Sequence, residues 1–337
     1  MMDKEDMKKE AKIEIHGDEI QIKEGDPLGD DRFKMVKELG KGSFGVVWMA
    51  EDRKNNNERV AIKFEKTKFW NKDTEEVENM DPGNAKLQSE SRIYIWLGND
   101  PESHKHNIPK AKCFFEGKNY IAFGMQMIGK SLDKLFEEQG NRFSLKTIDM
   151  IAIQGVRTLQ FIHSKRILHR DMKPDNWAIG LGKDQSKLFL FDFGLSKSFM
   201  NHLGKHNTKK EKPKPKVGTP RYYSTFVHDG HEQGRRDDMQ SFAHVLLFFA
   251  LGAKLPWAGK NLGQFKSLKE KEDFAYLEKR DHNWLEDPSV PKHLAEYAEY
   301  TRRLKFEEVP DYDWIVKLFE DDLKRMGCTN DCRFDWC

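Results

Sequence analysis

The chain has 337 residues, 34% of them charged, yet its 58 basic and 56 acidic side chains leave a net charge of only +2. That length accommodates two lobes with separate cores, and so even a balance argues against a global nucleic-acid-binding field and for charge that acts in local clusters. Four cysteines, Cys113, Cys328, Cys332 and Cys337, are too few and too lopsided for a disulfide framework, which suits reduced thiols in an intracellular protein.

The opening Met1-Met2-Asp3-Lys4-Glu5-Asp6 is charged and lacks the apolar stretch of a secretory signal. Residues 1–29 read as a charged N-terminal arm. From Phe33 the pattern is that of strands: Phe33, Val36 and Leu39 lead into Gly40-Lys41-Gly42-Ser43-Phe44-Gly45, and Val46-Val47-Trp48-Met49-Ala50 continues beyond it. A polar turn at Asn55-Asn56-Asn57 closes that hairpin, and Val60-Ala61-Ile62-Lys63 opens the next strand. Residues 66–84, rich in Lys, Asp, Glu and Asn and closing on Asp81-Pro82-Gly83-Asn84, read as a surface insertion ahead of a helix over about 86–97. Strands are expected near 111–115 and 120–125.

Beyond Gly129 the pattern turns largely helical. Ile148, Ile151, Ala152, Gly155, Val156, Leu159 and Ile162 recur at helical spacing and mark a buried helix. Leu188-Phe189-Leu190-Phe191 reads as a short buried strand that delivers Asp192, and the apolar segment 242–251 as a helix in the middle of a lobe. Its longest apolar stretch, 245–251, is far too short for a bilayer span, so a soluble, cytoplasmic or nuclear protein is expected, with no membrane and no nucleic-acid partner. Cys328 and Cys332 have no CxxC or His pair beside them, so zinc is not expected there, and Cys337 lacks the C-a-a-X frame of a lipid anchor.

The chemistry concentrates in two stretches: His169-Arg170-Asp171-Met172-Lys173-Pro174-Asp175-Asn176, and Asp192-Phe193-Gly194, which begins sixteen residues after Asn176. Phosphoryl transfer needs a carboxylate to orient the acceptor hydroxyl, here Asp171, and hard oxygen ligands for Mg²⁺ beside a nucleotide, here Asn176 and Asp192. Lys173 would neutralise charge on the transferring group, a pattern of Ser/Thr-directed enzymes. Gly40, Gly42 and Gly45 lie between two strands with no helix after them, unlike a dinucleotide fingerprint, and would let the backbone close over phosphates. Phe44 would cap that loop. The nucleotide-binding positions are then Gly40, Gly42, Ser43, Phe44, Gly45, Ala61 and Lys63. Lys63 needs a carboxylate partner on the next helix, and Glu90 fits best; Glu75, Glu76 and Glu78 precede the Asp-Pro-Gly turn and read as solvated. His169 and Phe193 suit packing, and Asp238 suits either capping its helix or holding the backbone of the 169–171 triplet. The run 205–216 holds six lysines against one glutamate, where an acidic or phosphorylated peptide would find charge-assisted partners.

At this point the chain resembles the casein kinase 1 branch of the protein kinases over roughly residues 30–337. Phe143-Ser144-Leu145-Lys146-Thr147, Phe161-Ile162-His163-Ser164-Lys165, Gly180-Leu181-Gly182-Lys183, Leu255-Pro256-Trp257, Pro310-Asp311-Tyr312 and Phe334-Asp335-Trp336 carry the likeness. Arg235-Arg236 before Asp237-Asp238 favours that branch over the tau-tubulin and vaccinia-related kinases. The resemblance implies an α+β bilobal fold, with a small β-rich N-lobe over about 30–128 and a larger, mainly helical C-lobe over about 129–337. It also implies ATP with Mg²⁺, and Ser/Thr phosphorylation of acidic or already phosphorylated proteins by a monomer. It places Met125 at the gatekeeper, Gln126 to Ile128 at the adenine hinge, and an anion site on Lys197, Lys214 and Arg221. Ser224-Thr225-Phe226, Pro220, Gln126 and Ala178 depart from the usual residues of that branch. With no regulatory tail after Phe334-Asp335-Trp336, activity that requires no upstream kinase is expected. A catalytically silent nucleotide-binding scaffold would have to explain why Lys63, Asp171, Asn176 and Asp192 are all present.

Overall fold

The computed structural model describes residues 15–16, 19–42, 45–71, 76–79, 86–117, 119–207, 215–258, 265–281 and 283–337. The chain divides into two compact units, one formed by residues up to 128 together with 192–194, the other by 129–191 and 195–337.

In the first unit a short ribbon, β1 (Ile15–His16) with β2 (Glu19–Ile20), precedes the strands β3 (Pro27–Leu28), β4 (Phe33–Gly42), β5 (Gly45–Asp52) and β6 (Glu58–Lys66). After the ribbon β7 (Lys68–Asn71) and β8 (Glu76–Asn79) comes the helix α1 (Lys86–Gly98), then β9 (Ala111–Glu116) and β10 (Tyr120–Gln126). Six of these strands form one antiparallel sheet in the order β3-β4-β5-β6-β10-β9. Period-two alternation builds its core: Phe33, Met35, Val46, Trp48, Val60, Ile62, Phe64, Phe115 and Tyr120 are buried on one face. The turn between β5 and β6 requires two residues at positive φ, and Asn56 (49°) and Asn57 (54°) supply them, as asparagine tolerates the left-handed region. Arg32 grips the buried Asp52 at the foot of that hairpin with Nε and Nη2, at 3.0 and 2.9 Å. On α1, Leu87, Glu90, Ser91, Tyr94 and Leu97 form the buried stripe. The expected 66–84 insertion is a short ribbon where described; its 72–75 and 80–84 segments lie outside the described residues.

The second unit is mainly helical: α2 (Leu132–Glu138), α3 (Leu145–Ser164), α4 (Thr225–His228), α5 (Arg235–Ala250), α6 (Leu268–Asp281), α7 (Lys292–Arg303) and α8 (Tyr312–Arg325). Two small ribbons interrupt the helices: β11 (Ile167–Leu168) pairs with β14 (Lys197–Ser198), and β12 (Trp177–Ile179) with β13 (Leu188–Leu190). Ser131 and Ser144 cap α2 and α3 by accepting the N–H of Lys134 and Thr147. Helix α3 packs against α5 and α8. Gly155 sits mid-helix because a Cβ there would meet the Phe242 ring at 2.2 Å. Helix α5 is buried from Arg236 to Phe249, all round, as its apolar middle requires. Among the described residues no helix is long and apolar enough to cross a membrane.

Candidate active site

Lys63 stands on β6 opposite Val47 of β5 and Phe123 of β10, on the face away from the buried Ile62 and Phe64. Its ammonium donates to Glu90 Oε2 at 2.8 Å and lies 3.4 Å from Asp192 Oδ1. Glu90 reaches it because the α1 stripe that buries Leu87 and Tyr94 also turns position 90 inward, where it is 1% exposed. Burial pushes the Glu90 carboxyl up to about 7, against the pull of Lys63 and with the charges of Asp192 and Glu65 adding to the rise. Burial would lower the Lys63 ammonium, but Glu90 and Asp192 together carry it above its ordinary value. Asp192 adopts a left-handed backbone (φ 65°), its N–H donates to Tyr94 Oη at 3.0 Å, and Phe193 packs edge-on against the Tyr94 ring, with centroids 5.1 Å apart. The structure therefore brings Lys63, Glu90 and Asp192 together, and 192–194 belong with the first unit.

The three motif glycines do different things. Pairing of β4 with β5 runs out to Gly42 opposite Gly45, so a two-residue tip, Ser43 and Phe44, lies outside the described residues. A Cβ at Gly45 would sit 1.8 Å from the Phe64 carbonyl oxygen, so close strand pairing demands glycine there. At Gly40 a Cβ would meet nothing within 4 Å, so its own protein does not require glycine at that position. Ala61 pairs with Met125 across β6 and β10; Gln126 donates its N–H to the Lys110 carbonyl (2.7 Å) and accepts the Lys110 N–H at Oε1 (3.3 Å). Ile128 closes this unit's run of chain.

In the second unit Asp238 organises the 169–171 triplet. One of its oxygens accepts the His169 N–H and the other the Arg170 N–H, each at 2.8 Å, and His163 Nε2 is 3.1 Å away. Capping of α5 falls instead to its neighbour Asp237, which accepts the Gly234 N–H at 2.7 Å. The His169 ring is fully buried and is the Nε2–H tautomer: Nε2 donates to the Phe191 carbonyl (3.0 Å) and Nδ1 accepts the Asp171 N–H (3.3 Å). Asp171 faces a small polar constellation. Lys173 Nζ is 3.0 Å from its Oδ2, and Asn176 Nδ2 donates to its carbonyl (2.8 Å) and to Oδ2 (3.3 Å). The Thr219 hydroxyl donates to Oδ1 at 2.7 Å, a contact across 48 positions that no local sequence pattern announces. Gly218 makes the approach possible: its φ is 110° and a Cβ would meet the Arg170 carbonyl oxygen at 2.5 Å.

Of the expected anion site, Lys197 pairs with Glu232 at 2.8 Å and Arg221 is exposed, its guanidinium 6.0 Å from the Phe248 ring centre. Lys214, like most of the lysine run, lies outside the described residues.

Taken one by one, the expected ligand residues carry the oxygens that a magnesium nucleotide calls for. Asn176 spends its amide nitrogen on Asp171, which leaves its carbonyl oxygen, and Asp192 presents a carboxylate 39% exposed. Both are the hard oxygens that Mg²⁺ prefers, and Lys63 offers a fixed ammonium to phosphate. Compared with known families, residues 33–315, most of the chain, match the model of the protein kinase domain. Paired strands around the glycine motif, a lysine–glutamate pair on β6 and α1, and an aspartate-centred loop all lie inside that match; the chain belongs to the protein kinase family and is an ATP-binding phosphotransferase.

Proposed function

We propose that this kinase is serine/threonine-directed and of casein kinase 1 type, with residues 30–337 as its catalytic domain. The observation that carries this reading is the surrounding of Asp171, with Lys173 at Oδ2 and Thr219 at Oδ1. Asp171 orients the acceptor hydroxyl and takes its proton; Lys173 compensates the charge that develops on the transferred group. Lys63, steered by Glu90, holds the nucleotide phosphates. Asn176 and Asp192 hold Mg²⁺, whose charge neutralises the phosphate oxygens when bound. Gly40, Gly42, Ser43, Phe44 and Gly45 cover the phosphates, while Ala61, Met125, Gln126 and Ile128 line the adenine side.

Acceptor proteins are acidic or already phosphorylated around the Ser or Thr, and meet Lys197, Lys214 and Arg221. A phosphate has to draw Lys197 away from Glu232, so Arg221, exposed and without that competitor, carries more of the recognition. Activity is basal and independent of an upstream kinase.

The test is phosphoryl transfer from Mg-ATP to two matched peptides, one with Glu or phosphoserine before the Ser, one with Arg there. The acidic peptide is expected to be labelled, and Asp171→Asn to lower kcat by about 10²- to 10⁴-fold, the usual worth of a positioned base. Labelling of the basic peptide alone would remove the anion site from this reading, and an active Asp171→Asn would remove the base. Phosphatase pretreatment that silenced the enzyme would refute basal activity.

A further inference from the structure

Lys279, on α6, is 1% exposed, and among the described residues no carboxylate lies within ion-pair distance of it. A buried ammonium is costly unless each of its three N–H groups finds an acceptor. Here three acceptors meet it: the Pro220 and Tyr223 carbonyl oxygens, both at 2.9 Å, and His228 Nε2 at 3.2 Å. The rings of Tyr223 and Trp257 add two aromatic faces, with centroids 5.1 and 5.6 Å from Nζ. Burial also pushes the Lys279 ammonium well below its ordinary value, and burial, with the lysine charge second, pushes His228 down to about 3; the two carbonyl contacts hold whether the lysine is charged or neutral.

What this lysine holds is the segment that faces Asp171. Residues 219–223 form a turn in which the Thr219 carbonyl accepts the N–H of Tyr222 (2.9 Å) and of Tyr223 (3.1 Å). Lys279 fastens that turn at Pro220 and Tyr223, and Trp257 Nε1 fastens it between them by donating to the Arg221 carbonyl at 2.8 Å. His244 Nδ1 meets the Tyr222 carbonyl at 2.8 Å, so the carbonyls of residues 220–223 are all tied, while the Thr219 hydroxyl meets Asp171 and the Arg221 side chain is exposed.

We propose that Lys279 is a positioning residue for the protein acceptor: by fixing the Pro220 and Tyr223 carbonyls it sets Thr219 against Asp171 and aims Arg221, and so governs engagement of the peptide and not of the nucleotide. This rests on the role of Asp171 proposed above. None of its partners comes from the unit that holds Lys63 and Glu90.

The experiment is steady-state kinetics of Lys279→Met with Mg-ATP and whichever of the two peptides is labelled, at a temperature where circular dichroism shows the variant fully folded. Peptide KM is expected to rise about ten-fold, the scale of lost hydrogen bonds to buried carbonyls, while KM for ATP stays within about two-fold. A lysine that served stability alone would lower the melting temperature and the active fraction with both KM values unchanged, and that result overturns the proposal. A second arm combines Lys279→Met with Thr219→Val. If the lysine acts through Thr219, the double variant is no worse in peptide kcat/KM than Thr219→Val alone, within about two-fold; fully additive losses overturn the proposal. Should Lys279→Met fail to fold, His228→Leu removes one acceptor and is read the same way: a raised peptide KM is expected, and an unchanged one refutes. An active Asp171→Asn would instead sink the assignment of the base, so the two failures are distinguishable.

Discussion

Glu90 is held by Lys63 and yet has little reason to be ionised: it is 1% exposed, and Asp192 and Glu65 add negative charge nearby. Burial outweighs the lysine and the carboxyl rises from 4.5 to about 7. The native state therefore keeps a proton on Glu90 that the unfolded chain releases near 4.5, so this contribution to stability is complete below 4.5 and is lost as pH rises through about 7. Urea unfolding of the wild type and of Glu90→Gln between pH 4.5 and 7.5 is expected to give curves that diverge in that sense, the wild type weakening relative to the variant as pH rises; parallel curves would contradict it. Sequence could name candidates where residue type at fixed spacing marks them, and the structure sets two of these, Lys63 and Asp192, beside Glu90 and the other two, Asp171 and Asn176, beside each other. The site was illegible where long-range packing decides. Thr219 reaches Asp171 across 48 positions, and Lys279 looks in sequence like one more solvated charge in the run Lys269-Glu270-Lys271-Glu272-Asp273 to Lys279-Arg280.

Strand and helix elements follow local pattern more faithfully than single contacts do. The 86–97 helix, the strands near 111–115 and 120–125, and the 148–162 stripe all appear with bounds within a residue or two of those the periodicity implies, or inside a longer helix. Glycines show the limit of that reading, because the motif does not say which glycine answers to protein and which to ligand. Gly45→Ala would drive a Cβ into the Phe64 carbonyl, a backbone atom that cannot yield without parting β5 from β6. It is expected to cost about 1–3 kcal/mol in unfolding free energy, as overpacking does, and to raise KM for ATP because Lys63 rides on β6. Gly40→Ala meets open space and is expected to leave stability within about 0.5 kcal/mol, changing nucleotide affinity alone. Thermal unfolding beside ATP titration of the two variants checks the contrast, and equal destabilisation would refute it. The same logic separates Asp237 from Asp238: adjacent in sequence and both buried, one caps α5 while the other holds the His169 and Arg170 amides.

Over the whole molecule, the last residues are fastened to a helix that begins far earlier in the chain. Asp335 accepts the N–H and the hydroxyl of Ser144, at 2.6 and 2.7 Å, across 191 positions, and donates its own N–H to Thr147 Oγ1 at 3.0 Å. Ser144 is itself the N-cap of α3, so Asp335 sits where the helix dipole and the unpaired first-turn amides favour a carboxylate. Phe334 and Trp336 stack at 4.6 Å, and Trp336 packs on Phe143 at 5.2 Å, which continues an aromatic cluster through Phe136 and Phe249. At its other end α3 places His163 against Asp238, the residue that orders the 169–171 triplet. These contacts brace the far end of the helix and touch none of Asp171, Lys173 or Asn176. Asp335→Ala should therefore destabilise the protein by about 1–2 kcal/mol, the range of a lost cap, and removal of residues 334–337 by about 2–4 kcal/mol, since a buried Phe334 goes with it. Well below their melting temperatures both variants should keep the wild-type kcat and peptide KM. Urea midpoints measured beside kinetics at low temperature test the division, and a variant that kept its midpoint but lost kcat would show that the C-terminal seat acts on the catalytic loop through α3 and does more than hold the fold.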